Sequence, residues 1–195
     1  MRVLVSPAAE LDRRGGRLAS VLAGREGATV SLADAGVRSL WRRQSQAEVH
    51  AIRRALLGLG AGEPMGPRPA AEQTVGYVCG GRRVVPGAGP AVFVVTDHLN
   101  LTWWSPLRGQ NDAAWGPRFP VMTGLYRPEM VEERLSGGAQ VAGVVAQVTE
   151  ADGISGHEAW AMRALGLTVA TVELAPVAIL AAHLGYGLAA VVVVE

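Results

Sequence analysis

Residues 97–128 read DHLNLTWWSPLRGQNDAAWGPRFPVMTGLYRP, and this stretch sets the interpretation of the whole chain. It holds three of the five tryptophans and contains no run with helical period that is long enough for a helix. A loop of about 30 residues inside a compact domain usually has a function. Three tryptophans in such a loop would be an exposed apolar liability on a monomer, so the composition favours an oligomer.

On both sides of this stretch, apolar runs rich in β-branched residues alternate with segments of helical period. Seven candidate strands are predicted, at residues 2–5, 28–32, 74–79, 90–96, 141–149, 168–174 and 188–194. Most of these runs are apolar at nearly every position, as expected for a mostly parallel sheet covered on both faces. The predicted class is therefore α/β.

Local signals mark where several helices begin. Ser45 with Glu48 and Ser155 with Glu158 have the spacing of a capping box, which predicts a helix after each serine. The first of these helices is expected to stop at Gly60. Prolines suit the first turn of a helix, and Pro128 and Pro176 predict two more starts.

Composition excludes several classes of protein. The chain has 195 residues, with 18 basic against 17 acidic side chains and a formal charge of +1, so no strong field would attract nucleic acid or an anionic membrane. All basic residues are arginines, which excludes a lysine Schiff base or a P-loop lysine. Cys79 is the single cysteine, as expected of a cytoplasmic protein without disulfides.

The last 21 residues before Glu195 contain no Asp, Glu, Lys or Arg and are long enough to span a bilayer. A tail anchor is therefore one interpretation of residues 174–194. The run is interrupted by Pro176, His183, Gly185 and Gly187, and four consecutive valines end it. These features favour a buried strand and no membrane.

Three linked motifs in the opening stretch resemble the purine nucleoside phosphorylase family of the trimeric kind. They are DHLNL at 97–101, SPLRGQND at 105–112 and GPRFPVM at 116–122, similar to the family's D-H-I-N-L, N-P-L-x-G-x-N-D and G-x-R-F-P-x-M. The likeness continues through Ala164–Gly166 and Ala175–Gly185 and is weak before Thr74.

This resemblance implies a nucleoside phosphorylase fold: a mixed, mostly parallel central sheet flanked by helices, as a single domain over residues 1–195 that lacks the family's C-terminal helical segment. It implies a homotrimer and the phosphorolysis of a purine or methylthiopurine nucleoside to free base and pentose 1-phosphate. Inorganic phosphate would be the co-substrate, and no cofactor or metal is expected.

The resemblance carries over to the phosphate site only in part. Ser6 follows the first strand as the family's phosphate loop does, but without its glycines. Arg38, Arg42 and Arg43 lie near the position of the family's Arg-x-His pair; they could equally form a solvated helix face. Residues 78–81, which include Cys79 and Gly80, are expected to keep the shape of a substrate-binding turn.

The sugar site matches better. Val172 and Glu173 resemble a pair whose glutamate accepts hydrogen bonds from ribose hydroxyls. A carboxylate in an apolar run needs a partner or a cleft, although Glu173 could also face solvent or pair with an arginine. Trp115 stands where the family places an aromatic residue that covers the neighbouring subunit's ribose; it could instead be an interface anchor without a ligand.

Base recognition is not matched. Ile154 stands in the place of the family's purine-binding glutamate, and Glu150 or Asp152 would have to replace it or are merely polar loop residues. His98 is expected to fix the loop by hydrogen bonds and His183 to be a satisfied core residue. No residue is assigned as catalytic. Two further interpretations stay open: a non-catalytic nucleoside-binding or partner subunit, which would complete an active paralogue's interface, and a fold that retains no ligand.

Overall fold

The structure, a computed structural model, describes residues 1–7, 9, 13–25, 27–37, 40, 44–60, 63–65, 73–84, 92–111, 113–135 and 140–194. Seven strands are described: β1 Val3–Val5, β2 Thr29–Ser31, β3 Gln73–Arg83, β4 Val92–Asn100, β5 Gln140–Gln147, β6 Val169–Thr171 and β7 Tyr186–Val194. Five helices lie within the same described residues: α1 Arg13–Ala23, α2 Gln46–Leu57, α3 Pro128–Arg134, α4 Gly156–Ala164 and α5 Ala175–Leu184.

The seven strands form one mixed sheet in which most of the described pairings are parallel. β1 lies between β2 and β3, and β7 lies on the other side of β3, all in parallel. β4 joins β7 in antiparallel orientation, then β5 and β6 follow in parallel. β6 also pairs with the end of β3, antiparallel, at Arg82 and Arg83. Five strands therefore close into a ring, from which β1 and β2 extend.

β7 is the centre of the fold, since all nine of its residues are buried. Alternate side chains of a strand point to opposite faces of the sheet, so the side chains of β7 pack into two different cores. Leu188, Ala190 and Val192 belong to the main core with α2 and α5. Ala189 and Val191 belong to a second core with α1 and α3. A smaller cluster packs α4 on β5 and β6.

The sequence signals for helix starts are confirmed. Both capping boxes form, with Ser45 before α2 and Ser155 before α4. Pro128 and Pro176 lie in the first turns of α3 and α5. The predicted stop of α2 at Gly60 is too late, because Gly58 adopts the left-handed conformation, with φ of 75°, and caps the helix there.

Two strand predictions need correction. Residues 78–81 do not form a turn: Cys79 and Gly80 lie inside β3, which continues because each is paired with a residue of β7. β4 extends to Asn100, so the DHLN motif begins in the sheet and the loop starts later than expected. A register shift against β5 between Val95 and Asp97 accommodates this extension.

The uncharged run 174–194 folds as the buried helix α5 and the buried strand β7. Among the described residues, no helix is both long enough and apolar enough to cross a membrane.

Candidate functional site

The residues that sequence reasoning assigned to sugar and phosphate meet at one point of the structure. Glu173 follows β6 by two residues, and its side chain is 4% exposed. Its Oε2 atom accepts a hydrogen bond from the Ser6 hydroxyl at 2.5 Å and another from the Gly80 amide at 3.3 Å. The interpretation of Glu173 as a solvent-exposed residue is therefore wrong.

Two further side chains hold the backbone around this carboxylate. The Tyr77 hydroxyl donates to the Glu173 carbonyl oxygen at 2.8 Å. Thr171 Oγ1 donates to the Gly80 carbonyl at 2.6 Å and accepts from the Glu173 amide at 3.2 Å. We refer to Ser6, Tyr77, Gly80, Thr171 and Glu173 as the Glu173 cluster. It joins the ends of β1 and β6 to the middle of β3.

Gln147, the last residue of β5, fixes the turn that follows Glu173. Its Oε1 atom accepts hydrogen bonds from the amides of Leu174 and Ala175, at 2.8 and 3.0 Å. These amides belong to the start of α5, where backbone donors have no partner inside the helix. The orientation of Glu173 is thereby set from a neighbouring strand.

Burial governs the ionisation of the groups around Glu173. Desolvation, followed by the charge of Glu173, raises the pKa of the Cys79 thiol well above its usual value. Desolvation also raises the pKa of the Tyr77 hydroxyl, with smaller contributions from Cys79 and Glu173. Both groups stay protonated at neutral pH, so Cys79 supplies no thiolate nucleophile beside the Glu173 cluster.

Other predicted site residues are placed differently. Val172 packs in the small cluster with α4 rather than in the Glu173 cluster. Trp115 packs against the main core, and the Arg53 guanidinium lies 6.0 Å from its ring centroid. Asp152 pairs with Arg82. Arg38, Arg42 and Arg43 lie outside the described residues, so their predicted role in phosphate binding stays a prediction.

Both histidines singled out in the sequence hold the segment after β4, residues 101–127, which we call the connecting segment. His98 Nδ1 lies 2.7 Å from the Tyr126 hydroxyl, which joins the two ends of the segment. The His183 ring, fully buried on α5, lies 3.0 Å through Nδ1 from the carbonyl oxygen of Pro117. The prediction that His98 fixes the loop by hydrogen bonds is confirmed. His183 is a core residue as predicted, with its described hydrogen bond at Nδ1.

Sequence reasoning missed Gln147, Tyr77 and Thr171. Each had a signal, because each is a polar side chain inside a run that is otherwise apolar, and a buried polar group requires a partner. Their partners lie 27, 96 and 91 residues away in sequence, so the identity of those partners could not be predicted.

No protein-family model matches the chain. Purine nucleoside phosphorylase 1 of Bacillus subtilis (strain 168) is 28% identical over 99 residues, which is 48% of this chain and 36% of that protein. The chain therefore aligns with little more than a third of the length of this relative.

Solved structures show the same fold. A Schistosoma purine nucleoside phosphorylase in complex with hypoxanthine superposes with a TM-score of 0.62 at 19% identity, over 80% of this chain and 55% of its own. Isoform 2 from Schistosoma mansoni, in complex with cytosine and ribose-1-phosphate, gives 0.69 at 17% identity over 99% and 75%. The predicted nucleoside phosphorylase fold is confirmed, and over the aligned residues the chain is also similar in sequence to a purine nucleoside phosphorylase.

Proposed function

We propose that the chain binds a purine or methylthiopurine nucleoside at the Glu173 cluster and splits it with inorganic phosphate into free base and pentose 1-phosphate. The observation that carries this proposal is the convergence of Ser6, Gly80 and Glu173, which sequence reasoning had assigned to phosphate and sugar. Purine nucleoside phosphorylases are the relatives matched in sequence and in structure, which supports the same substrate class.

In this proposal, Glu173 accepts hydrogen bonds from the pentose hydroxyls. A buried carboxylate makes strong, oriented bonds to hydroxyl donors, and it holds the sugar for attack at the anomeric carbon. Gln147 and Tyr77 are positioning residues, because they fix the backbone on both sides of that carboxylate. Ser6, with Arg38 and Arg42, would meet the phosphate.

A second candidate is nucleoside binding without turnover, as a subunit that completes an oligomer with an active paralogue. The 2.5 Å bond between Ser6 and Glu173 favours it, because the hydroxyl proposed for phosphate is already donated to the carboxylate. The exposed aromatic side chains of the connecting segment suit either a homotrimer or a mixed oligomer. Cytoplasmic location remains an expectation from the single cysteine.

The test is a phosphate-dependent assay of the purified protein with inosine, guanosine and methylthioadenosine. Release of free base that requires phosphate and is lost in Glu173→Ala supports phosphorolysis. Glu132→Ala, which removes an exposed carboxylate from α3, is the control for a general effect of charge.

Thermal shift distinguishes the two candidates. A rise in melting temperature with nucleoside, without turnover, supports binding alone, since a ligand that binds only the folded state stabilises it. Neither turnover nor a nucleoside-dependent shift in the wild type would contradict both.

A further inference from the structure

Two hydrogen-bond donors from different strands converge on a single oxygen of Glu173. The Ser6 hydroxyl follows β1 and the Gly80 amide lies in β3, and both donate to Oε2. Ser6 is fully buried and is itself oriented, because its Oγ atom accepts from the Ala9 amide at 3.2 Å. Convergent hydroxyl and amide donors, fixed by the fold, form a binding position for an anionic oxygen.

The N-terminus of α5 adds a field that favours negative charge at the same position. Glu173 lies two residues before α5, whose aligned peptide dipoles place partial positive charge at its N-terminus. The first amides at the start of α5 donate to Gln147 Oε1 and not to Glu173. The described hydrogen bonds to Glu173 Oε2 come from Ser6 and Gly80.

We propose that Glu173 is an internal competitor for phosphate: its carboxylate takes the Ser6 and Gly80 donors that a phosphate oxygen would otherwise accept. A group on the same chain competes with free ligand at an effective concentration in the millimolar range or above, as for other tethered groups. An ionised carboxylate also repels a phosphate dianion brought within a few ångströms. In the absence of nucleoside, Glu173 thus weakens the binding of free phosphate at this position.

The choice of phosphate as the competing anion rests on the proposed function, whereas the convergence of donors on Glu173 does not. The consequence is measurable without any nucleoside. When the side chain is shortened, the two donors are released and the volume of the carboxylate is vacated.

The experiment is calorimetric titration of inorganic phosphate into the wild type and Glu173→Ser, without nucleoside. We expect the variant to bind phosphate with a Kd lower by tenfold or more, which corresponds to about 1.4 kcal/mol. Glu132→Ser removes an equal charge from the exposed face of α3 and should bind phosphate as weakly as the wild type. Equal affinity in the wild type and Glu173→Ser would overturn the proposal.

Two more variants keep the test decisive. If Glu173→Ser does not fold, Glu173→Gln keeps the shape of the side chain and removes its charge; tighter phosphate binding than in the wild type is expected. In Glu173→Ser with Ser6→Ala, the gain should disappear, because one of the two donors is gone. A gain that persists without Ser6 would show that phosphate binds elsewhere and would refute the inference.

Failure of this inference can be separated from failure of the proposed function. If nucleoside stabilises the wild type but Glu173→Ser gains no phosphate affinity, the nucleoside site is supported and the competitor role of Glu173 is refuted. If Glu173→Ser gains phosphate affinity but nucleoside has no effect on the wild type, the competitor role of Glu173 is supported and nucleoside binding is refuted.

Discussion

The Glu173 cluster and the connecting segment 101–127 differ most in what they bury. The cluster buries the Glu173 carboxylate and three hydroxyl side chains, and hydrogen bonds join them to one another and to the half-buried Gly80. The connecting segment does the reverse, since Trp103 is 83% exposed and Phe119 is 84% exposed. Buried polar groups with partners suit an internal site, whereas exposed aromatic groups are what a surface for contact with another molecule would present.

The two regions also differ in how the chain is held. Around Glu173, each residue is fixed by a neighbouring strand. The connecting segment is held at a few points: Asn100 accepts from Thr102 and donates to the Trp104 carbonyl, and His183 contacts Pro117. Motif residues such as Asn100 and His98 therefore shape the segment, which explains why they match a family whose chemistry is otherwise poorly matched.

The largest effect is expected at Gly116, where the connecting segment packs closely against α5. Gly116 has a φ of 155°, and a Cβ atom there would lie 1.8 Å from the carbonyl oxygen of His183. We expect Gly116→Ala to lower the free energy of unfolding by about 3 kcal/mol or more, from backbone strain together with overpacking. The measurement is urea denaturation. Gly156→Ala is the control, since no atom lies within 4 Å of its Cβ position. Equal stability of the two variants would show that the segment does not pack on α5.

The next largest loss of stability is expected at Gln147, which fixes the turn after Glu173. Gln147→Leu leaves the Leu174 and Ala175 amides buried without their acceptor, and we expect a loss of about 2–4 kcal/mol for two such groups. Thermal denaturation followed by circular dichroism measures it. Gln46→Leu, at the exposed start of α2, should leave the melting temperature nearly unchanged. A small effect of Gln147→Leu would mean that the turn after β6 is held by other contacts.

A weaker effect should appear as a pH dependence of the connecting segment. Burial lowers the pKa of His98 below its usual 6.5, so the unfolded chain binds the proton more readily than the folded protein. Stability is therefore expected to fall as pH decreases from 6.5 toward the folded pKa and to level off below it. The measurement is melting temperature from pH 7.5 to 5 for the wild type and His98→Gln.

In that series, His98→Gln should show the smaller decrease, because it removes the titrating group next to Tyr126. His157→Gln, at the start of α4, is the control and should follow the wild type. Parallel curves for all three proteins would contradict the assignment.

The smallest effect on stability is expected at the exposed aromatic residues. Trp103→Ser with Phe119→Ser removes little packing within one chain, so the change in free energy of unfolding should stay within about 0.5 kcal/mol per site. If the wild type forms the proposed oligomer, we expect the same variant to sediment as a monomer at sedimentation equilibrium. Trp160→Ser on α4, where the side chain is 64% exposed, should leave the molar mass unchanged. An unchanged mass in the double variant would place the interface elsewhere.

Local signals predicted the elements well, because they depend on neighbours in sequence. The capping serines Ser45 and Ser155 and the prolines Pro128 and Pro176 begin helices as predicted. The turn expected at residues 78–81 was wrong because pairing with β7, more than 100 residues later, keeps Cys79 and Gly80 extended. Glycine content alone could not show that pairing.

For the candidate site, sequence reasoning found Glu173, Ser6 and Gly80 but assigned them to separate tasks. That Ser6 and Gly80 donate to the same carboxylate oxygen depends on the ring of strands, which brings β1, β3 and β6 together. Arg38 and Arg42 stay sequence predictions.

By itself, the sequence determined the α/β class, the seven strands, most of the helix starts and the likeness to nucleoside phosphorylases, since periodicity, capping and motif spacing are properties of adjacent residues. Only the tertiary structure decided that Glu173 is buried and bound by Ser6 and Gly80, and that Val172 faces a different cluster. The physical reason is that a buried carboxylate is defined by the donors around it, and strand pairing supplies those donors from positions 93 and 167 residues away.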